Sequence, residues 1–105
     1  HRMEQVSKHI QANYHRSITL TEIADIANMT EQSFSRWFRQ TSGLTFIDYL
    51  IQLRTTVASN LLINTSKPMT EVYAESGFNS SSSFNRAFLK IKGCSPREFR
   101  KRNRI

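Results

Sequence analysis

Gln32, Ser35, Arg36 and Arg39 are spaced three, one and three residues apart within Thr30 to Gly43, TEQSFSRWFRQTSG. At about 100° per residue they share one side of a helix, and Phe34, Trp37, Phe38 and Thr41 share the other. An amide, a hydroxyl and two guanidinium forks on a rigid rod are donors suited to base edges in a DNA major groove. A helix whose polar face is merely solvated shows the same pattern. What separates the two readings is that the motif occurs twice.

The second copy is Ser83-Phe84-Asn85-Arg86-Ala87-Phe88, matching Ser33-Phe34-Ser35-Arg36-Trp37-Phe38. Upstream, Thr70-Glu71-Val72 matches Thr21-Glu22-Ile23, and Gly77-Phe78 matches Asn28-Met29. Downstream, Gly93 matches Gly43 and Ser95 matches Thr45. A second candidate reading helix therefore runs from about Ser81 to Lys92. Phe84, Ala87, Phe88 and Ile91 form its expected buried side, and Ser81, Ser82, Asn85 and Arg86 its outer side. Leu89 also falls outward, where it meets a thymine methyl, a partner protein or only water. Ser80 to Ser83 also fits a flexible serine loop, but Phe84 and Phe88 extend a helical pattern directly from it. Two copies are too few for a solenoid, which needs about three, and suggest a tandem of binding heads.

The elements that must hold these faces are legible around them. Met3, Val6, Ile10 and Tyr14 recur at helical spacing, predicting a first helix ending near His15. Thr19 and Glu22 form a capping box opening a second helix, whose narrow apolar face is Ile23, Ala24 and Ala27. Asn28 tolerates the left-handed conformation of a tight turn, Met29 packs inward, and Thr30 caps the next helix. Helix, short turn, helix is the arrangement whose second helix enters the major groove. After Gly43, Thr45 and Asp48 mark another start. Phe46, Tyr49, Leu50, Leu53, Val57 and Leu61 predict a long helix to about Ile63. Arg54 on it reads as a phosphate contact or a solvated side chain. Asn64 to Lys67 is a polar connector, and Pro68 marks the next start. Ser95-Pro96-Arg97-Glu98 opens a last helix, with Phe99 folding back on the core.

The chain has 105 residues, 38% of them apolar, which allows one compact unit or two very small ones. The charge of +7 is uneven: residues 1–83 balance seven cations with seven carboxylates, and residues 84–105 carry eight cations against Glu98. A basic end suits a polyanion. A solubilising tail explains Arg100 to Arg104, but not Arg86 and Lys90 inside a helical pattern. One cysteine allows no internal disulfide and suggests a reducing cytoplasm. Cys94 reads as a small packed residue. No apolar run is long enough to span a bilayer, and no secretory segment opens the chain. The first residue is His1, which suggests excision from a longer chain or processing. His9 and His15 read as solvated or capping residues. Enzymatic sites are not expected: there is no Cys/His cluster, Gly-rich phosphate loop or His beside a nucleophile, and no cofactor or metal is implied. Glu22 with Asp25, and Glu71 with Glu75, read as surface charges on helices.

The runs A-x-x-A-N-M-T-x-x-x-F-S-R-W-F, E-V-Y-A-E-S-G-F-N-S-S-S-S-F-N-R-A-F and G-C-S-P-R-E-F-R-K together resemble the DNA-binding domain of AraC/XylS-type bacterial transcription regulators. The likeness covers about Val6 to Lys101. It implies an all-α fold of about seven helices: two helix-turn-helix units, 1–44 and 64–105, joined by a linker helix, 45–63, in a homeodomain-like tandem. By position it assigns Gln32, Ser35 and Arg36, then Ser81, Ser82, Asn85 and Arg86, to bases. Arg39, Lys90, Arg97 and the helix starts at Thr30, Ser80 and Ser95 are expected at phosphates. Tyr73 stands where the family has a small alanine, Leu89 where it has a cation and Lys92 where it has an aromatic. Looser packing in the second unit and weaker base readout there are the expectations.

A linker of roughly 18 residues spans about 27 Å at ~1.5 Å per residue. With the flanking helices it can set two reading helices in successive major grooves, which repeat every ~34 Å. That arrangement requires Arg36 and Arg86 to project outward in the same direction. The resemblance implies a transcription regulator, commonly an activator touching RNA polymerase; in most members a separate N-terminal domain senses an effector or dimerises, and a few consist of the binding domain alone. The competing reading is a helical protein-interaction module that buries the Gln32/Arg36 face against another protein. An RNA binder would need exposed stacking aromatics, whereas nearly all of these fall on buried faces.

Overall fold

Small hydroxyl side chains set where the helices begin. The computed structural model describes residues 1–104. Among the described residues there are seven helices and no strand: α1 Arg2–Asn13, α2 Leu20–Ile26, α3 Glu31–Ser42, α4 Phe46–Asn64, α5 Met69–Ser76, α6 Ser81–Lys92 and α7 Pro96–Asn103. Five of them start on a Thr or Ser whose Oγ accepts from the N–H three residues on. The pairs are Thr19–Glu22, Thr30–Ser33, Thr45–Asp48 and Ser95–Glu98 at 3.1 Å, and Ser80–Ser83 at 3.2 Å. Each such cap satisfies an orphan donor and is worth ~1 kcal/mol. Gly43 and Gly93 close α3 and α6, returning their N–H groups to the carbonyls of Arg39 and Leu89 at 2.9 Å.

The two turns repeat atom for atom in their hydrogen bonding. Asn28 has φ +58° and Gly77 φ +95°. Their N–H groups donate to Asp25 O at 3.0 Å and Ala74 O at 3.1 Å. The next residues, Met29 and Phe78, donate to Ala24 O at 2.9 Å and Tyr73 O at 3.0 Å. The left-handed residue reverses the chain within one step, and the bonds behind it satisfy the last carbonyls of α2 and α5.

The chain divides into two compact units, the first His1–Leu50 and the second beginning at Ile51, within α4. In the first, Val6, Ile10, Ile23, Ala24 and Ala27 are buried together with Phe34 and Phe38. Phe38 is met edge-on by Phe46 at 6.0 Å and Tyr49 at 5.2 Å. In the second, Ala58, Leu62, Val72, Phe78, Phe84 and Phe88 form the core, with Tyr73 and Phe99 packed against it. Tyr73 causes no rearrangement of the turn. Its half-buried ring packs against the core, 6.0 Å from that of Phe84.

Several expectations need correcting. Thr41 is exposed, and Ile91 is 38% exposed, so each reading helix rests on a narrower strip than its pattern implied. On α4 beyond Leu50 the buried line is Thr55, Ala58, Ser59 and Leu62, while Leu53, Val57 and Leu61 are half-buried. Small side chains sink where backbones approach closely, and size-weighted periodicity overlooks them. Arg54 is also half-buried, and burial lowers its pKa. The reciprocal halves of two capping boxes give way to arginine. Glu22 takes two bonds from Arg16, at 3.0 and 2.6 Å, and meets His9 Nε2 at 2.5 Å, so His9 is not simply solvated. Glu98 pairs with Arg102 at 3.1 Å. In both, an arginine from outside the cap supplies the carboxylate's partner, adding the attraction of opposite charges to the hydrogen bond. Nor is the basic end only a tail. Arg100 donates to Leu62 O at 3.1 Å and Thr65 O at 3.3 Å, and Arg104 also meets Thr65 O. Both place cations at the negative C-terminus of α4.

Two tests follow from this scaffold. Gly77→Ala should lower the unfolding free energy by ~1–2 kcal/mol in urea titrations, whereas Asn28→Gly should leave it unchanged or raised. Arg16, and then His9, hold the Glu22 carboxyl down to about 2, below its ordinary 4.5. The folded value is depressed, so this stabilisation is complete above about 4.5 and is lost as the pH falls toward 2. Trp37, the sole tryptophan, should report a fall in the urea midpoint of the first unit across that window. Glu22→Gln should flatten it.

Candidate nucleic-acid interface

Burial of one side of a helix dictates what the other side shows. Phe34 and Phe38, one turn apart on α3, are fully buried, with rings 5.4 Å apart. Gln32, Ser35, Arg36 and Arg39 are consequently all exposed. On α6, Phe84 and Phe88 are buried with rings 5.7 Å apart, and Ser81, Ser82, Asn85, Arg86 and Lys90 are exposed. The structure thus gathers each set that the sequence marked for bases on one face of one helix. It also places Thr30, Ser80 and Ser95 as exposed N-caps of α3, α6 and α7, with exposed Arg97 in the first turn of α7.

The cations on these faces lack internal partners. Among the described residues the ion pairs are His9–Glu22, Arg16–Glu22, Lys67–Glu75 and Arg102–Glu98. None involves Arg36, Arg39, Arg86, Lys90 or Arg97. The caps add to this. Thr30 and Ser95 each accept a backbone N–H through Oγ, leaving the hydroxyl proton to donate outward. The amides of a first helical turn and the helix dipole both favour an anion there.

The two faces differ in charge. Glu31 in the first turn of α3 accepts from Thr21 Oγ1 at 2.5 Å, which ties α2 to α3. The matching residue of α6 is Ser81, and the first turn of α6 contains no acid. Anions therefore meet less opposition at α6.

Two structural arginines were not evident from spacing. Arg2 donates to Ala27 O at 2.9 Å and lies 6.0 Å over the Trp37 ring, bracing the back of α3. Arg100 is 38 residues from the carbonyl it caps, a separation no local pattern encodes. Lys92, unexpected at an aromatic position, holds its ammonium 5.7 Å over the Phe99 ring. Among the described residues no His/Cys/Asp/Glu group could hold a metal, and no helix is long and apolar enough to cross a membrane.

A family model described as a helix-turn-helix domain matches residues 23–102. The chain is 36% identical over 86 residues to the RCS-specific HTH-type transcriptional activator RclR of Escherichia coli (strain K12), covering 82% of this chain and 30% of that one. It spans about a third of the length of the first curated relatives it matches. Among solved structures, the C-terminal domain of AraT, a response regulator from Geobacillus stearothermophilus, superposes with a TM-score of 0.92 at 28% identity, covering 99% of this chain and 87% of that one. The DNA-binding domain of AdpA, a global transcriptional factor, solved in complex with a target DNA, gives 0.90 at 26% identity, covering 95% and 90%. With the matched segment spanning both turns and both exposed polar faces, the chain belongs to the AraC-type helix-turn-helix family.

Proposed function

We propose that this chain binds duplex DNA sequence-specifically, with α3 and α6 as reading helices in successive major grooves, and forms the DNA-binding part of a transcription regulator. The observation that carries this reading is the doubled face itself. Two capped helices, each locked by a buried Phe pair, expose amides, hydroxyls and cations that have no carboxylate partner. An unpaired cation on a rigid helix is prepared for phosphate or guanine without first breaking an ion pair. The likeness to a DNA-binding domain solved on its target DNA supports the same reading.

In this role Arg36 and Arg86 bind guanine edges, while Gln32, Ser35, Ser81, Ser82 and Asn85 contact neighbouring bases. Arg39, Lys90 and Arg97, with the N-termini capped by Thr30, Ser80 and Ser95, hold phosphates and set the register. The likeness to a protein named as an activator supports activation as the regulatory outcome. Contact with RNA polymerase, an effector-sensing or dimerising domain in the same polypeptide, and a cytoplasmic location complete the proposal.

Selection of bound duplexes from a random pool, followed by titrations across a salt series, tests it. Arg36→Ala should relax preference at one or two base pairs, losing ~1–3 kcal/mol of discrimination. Lys90→Ala should weaken selected and random duplexes alike and lower the salt slope by about 0.9. Binding that barely responds to salt, or equal losses on both duplexes for Arg36→Ala, would contradict the assignment.

A further inference from the structure

Leu89 is 57% exposed. Large apolar side chains are often exposed singly, so exposure alone says little. Its position says more. Counting 100° per residue along α6, Leu89 falls between Asn85 and Arg86, one turn further on, in the middle of the polar face. Lys90 is exposed beside it. The internal repeat supplies a comparison, because the residue matching Leu89 on α3 is Arg39. The same site on the same kind of face thus carries a phosphate-seeking cation in one unit and an isobutyl group in the other.

We propose that Leu89 is a specificity-determining residue that packs on a thymine C5-methyl, in the major groove, beside the guanine bound by Arg86. The inference rests on the DNA-reading role of α6. A major groove presents one apolar group among its donors and acceptors, the thymine methyl, and an aliphatic side chain is its complement. The geometry agrees. Three residues along a helix advance ~4.5 Å at ~1.5 Å each, against ~3.4 Å per base step, so with α6 lying along the groove Leu89 reaches about one base pair beyond Arg86. Flanking Arg86 and Lys90 favour a polyanion over an apolar protein surface as the occupant. This also explains how a unit with short Ser81 and Ser82 side chains recovers base discrimination: it reads a methyl where its twin holds a phosphate.

The test uses the 105-residue chain and the duplex it selects from a random pool. The thymine next to the guanine whose preference is lost in Arg86→Ala is replaced by deoxyuridine, which removes only the methyl. Wild type should bind the deoxyuridine duplex about fourfold more weakly, the equivalent of ~0.8 kcal/mol for one buried methyl-sized group. Leu89→Ala should bind the two duplexes within about twofold of each other, having lost the contact. Leu89→Arg should lose the same discrimination and steepen the salt slope by about 0.9, imitating Arg39. A selected duplex on which wild type ignores the methyl, or on which Leu89→Ala keeps the wild-type ratio, overturns this contact alone. A chain that selects no duplex overturns the role of α6 and the contact with it.

Discussion

The burial of one phenylalanine pair on each reading helix constrains everything else in the two units. Phe34 with Phe38, and Phe84 with Phe88, lie one turn apart and exclude water almost completely. A helix has a single rotational freedom about its axis, and two buried rings on one line remove it. Replacing such a ring by alanine in other cores costs ~3–5 kcal/mol, far more than a single outward polar group contributes to stability. The outward face is therefore free to vary chemically while its direction is held by the core. That division of labour lets α3 and α6 expose different side chains on the same frame.

These cations fall into three groups with different physics. Arg2, Arg100 and Arg104 neutralise the carbonyl ends of α2 and α4, where lone pairs and the helix dipole attract them. Arg16 and Arg102 hold the carboxylates of Glu22 and Glu98. Arg36, Arg39, Arg86, Lys90 and Arg97 do neither, and remain solvated at the edges of capped helices. Net charge alone does not distinguish these groups. A count of basic residues overstates the charge offered to a polyanion, because part of it is already matched by carboxylates and helix ends of the chain itself.

The repeat is closer in backbone than in side chain. Asn28 and Gly77 make the same turn by different means, one through an amide residue that tolerates the left-handed region and the other through absence of a side chain. Ala24 and Tyr73 occupy matching places, and the larger ring is accommodated against Phe84. Glu31 against Ser81 and Arg39 against Leu89 give the outer faces unequal charge.

Most of the helical framework was written locally. Capping hydroxyls, the two turns and the doubled Phe spacing depend on neighbours three or four residues away, where sequence and contact coincide. The outward sets on α3 and α6 were legible for the same reason, since helical geometry alone separates them from the buried line. Tertiary structure decided what depends on distant groups: the buried small-residue line of α4, the partners that drew Glu22 and Glu98 from their caps, and the arginines that close α2 and α4. Those choices follow from which charge or surface arrives from another helix. A spacing rule within one helix contains no information about that.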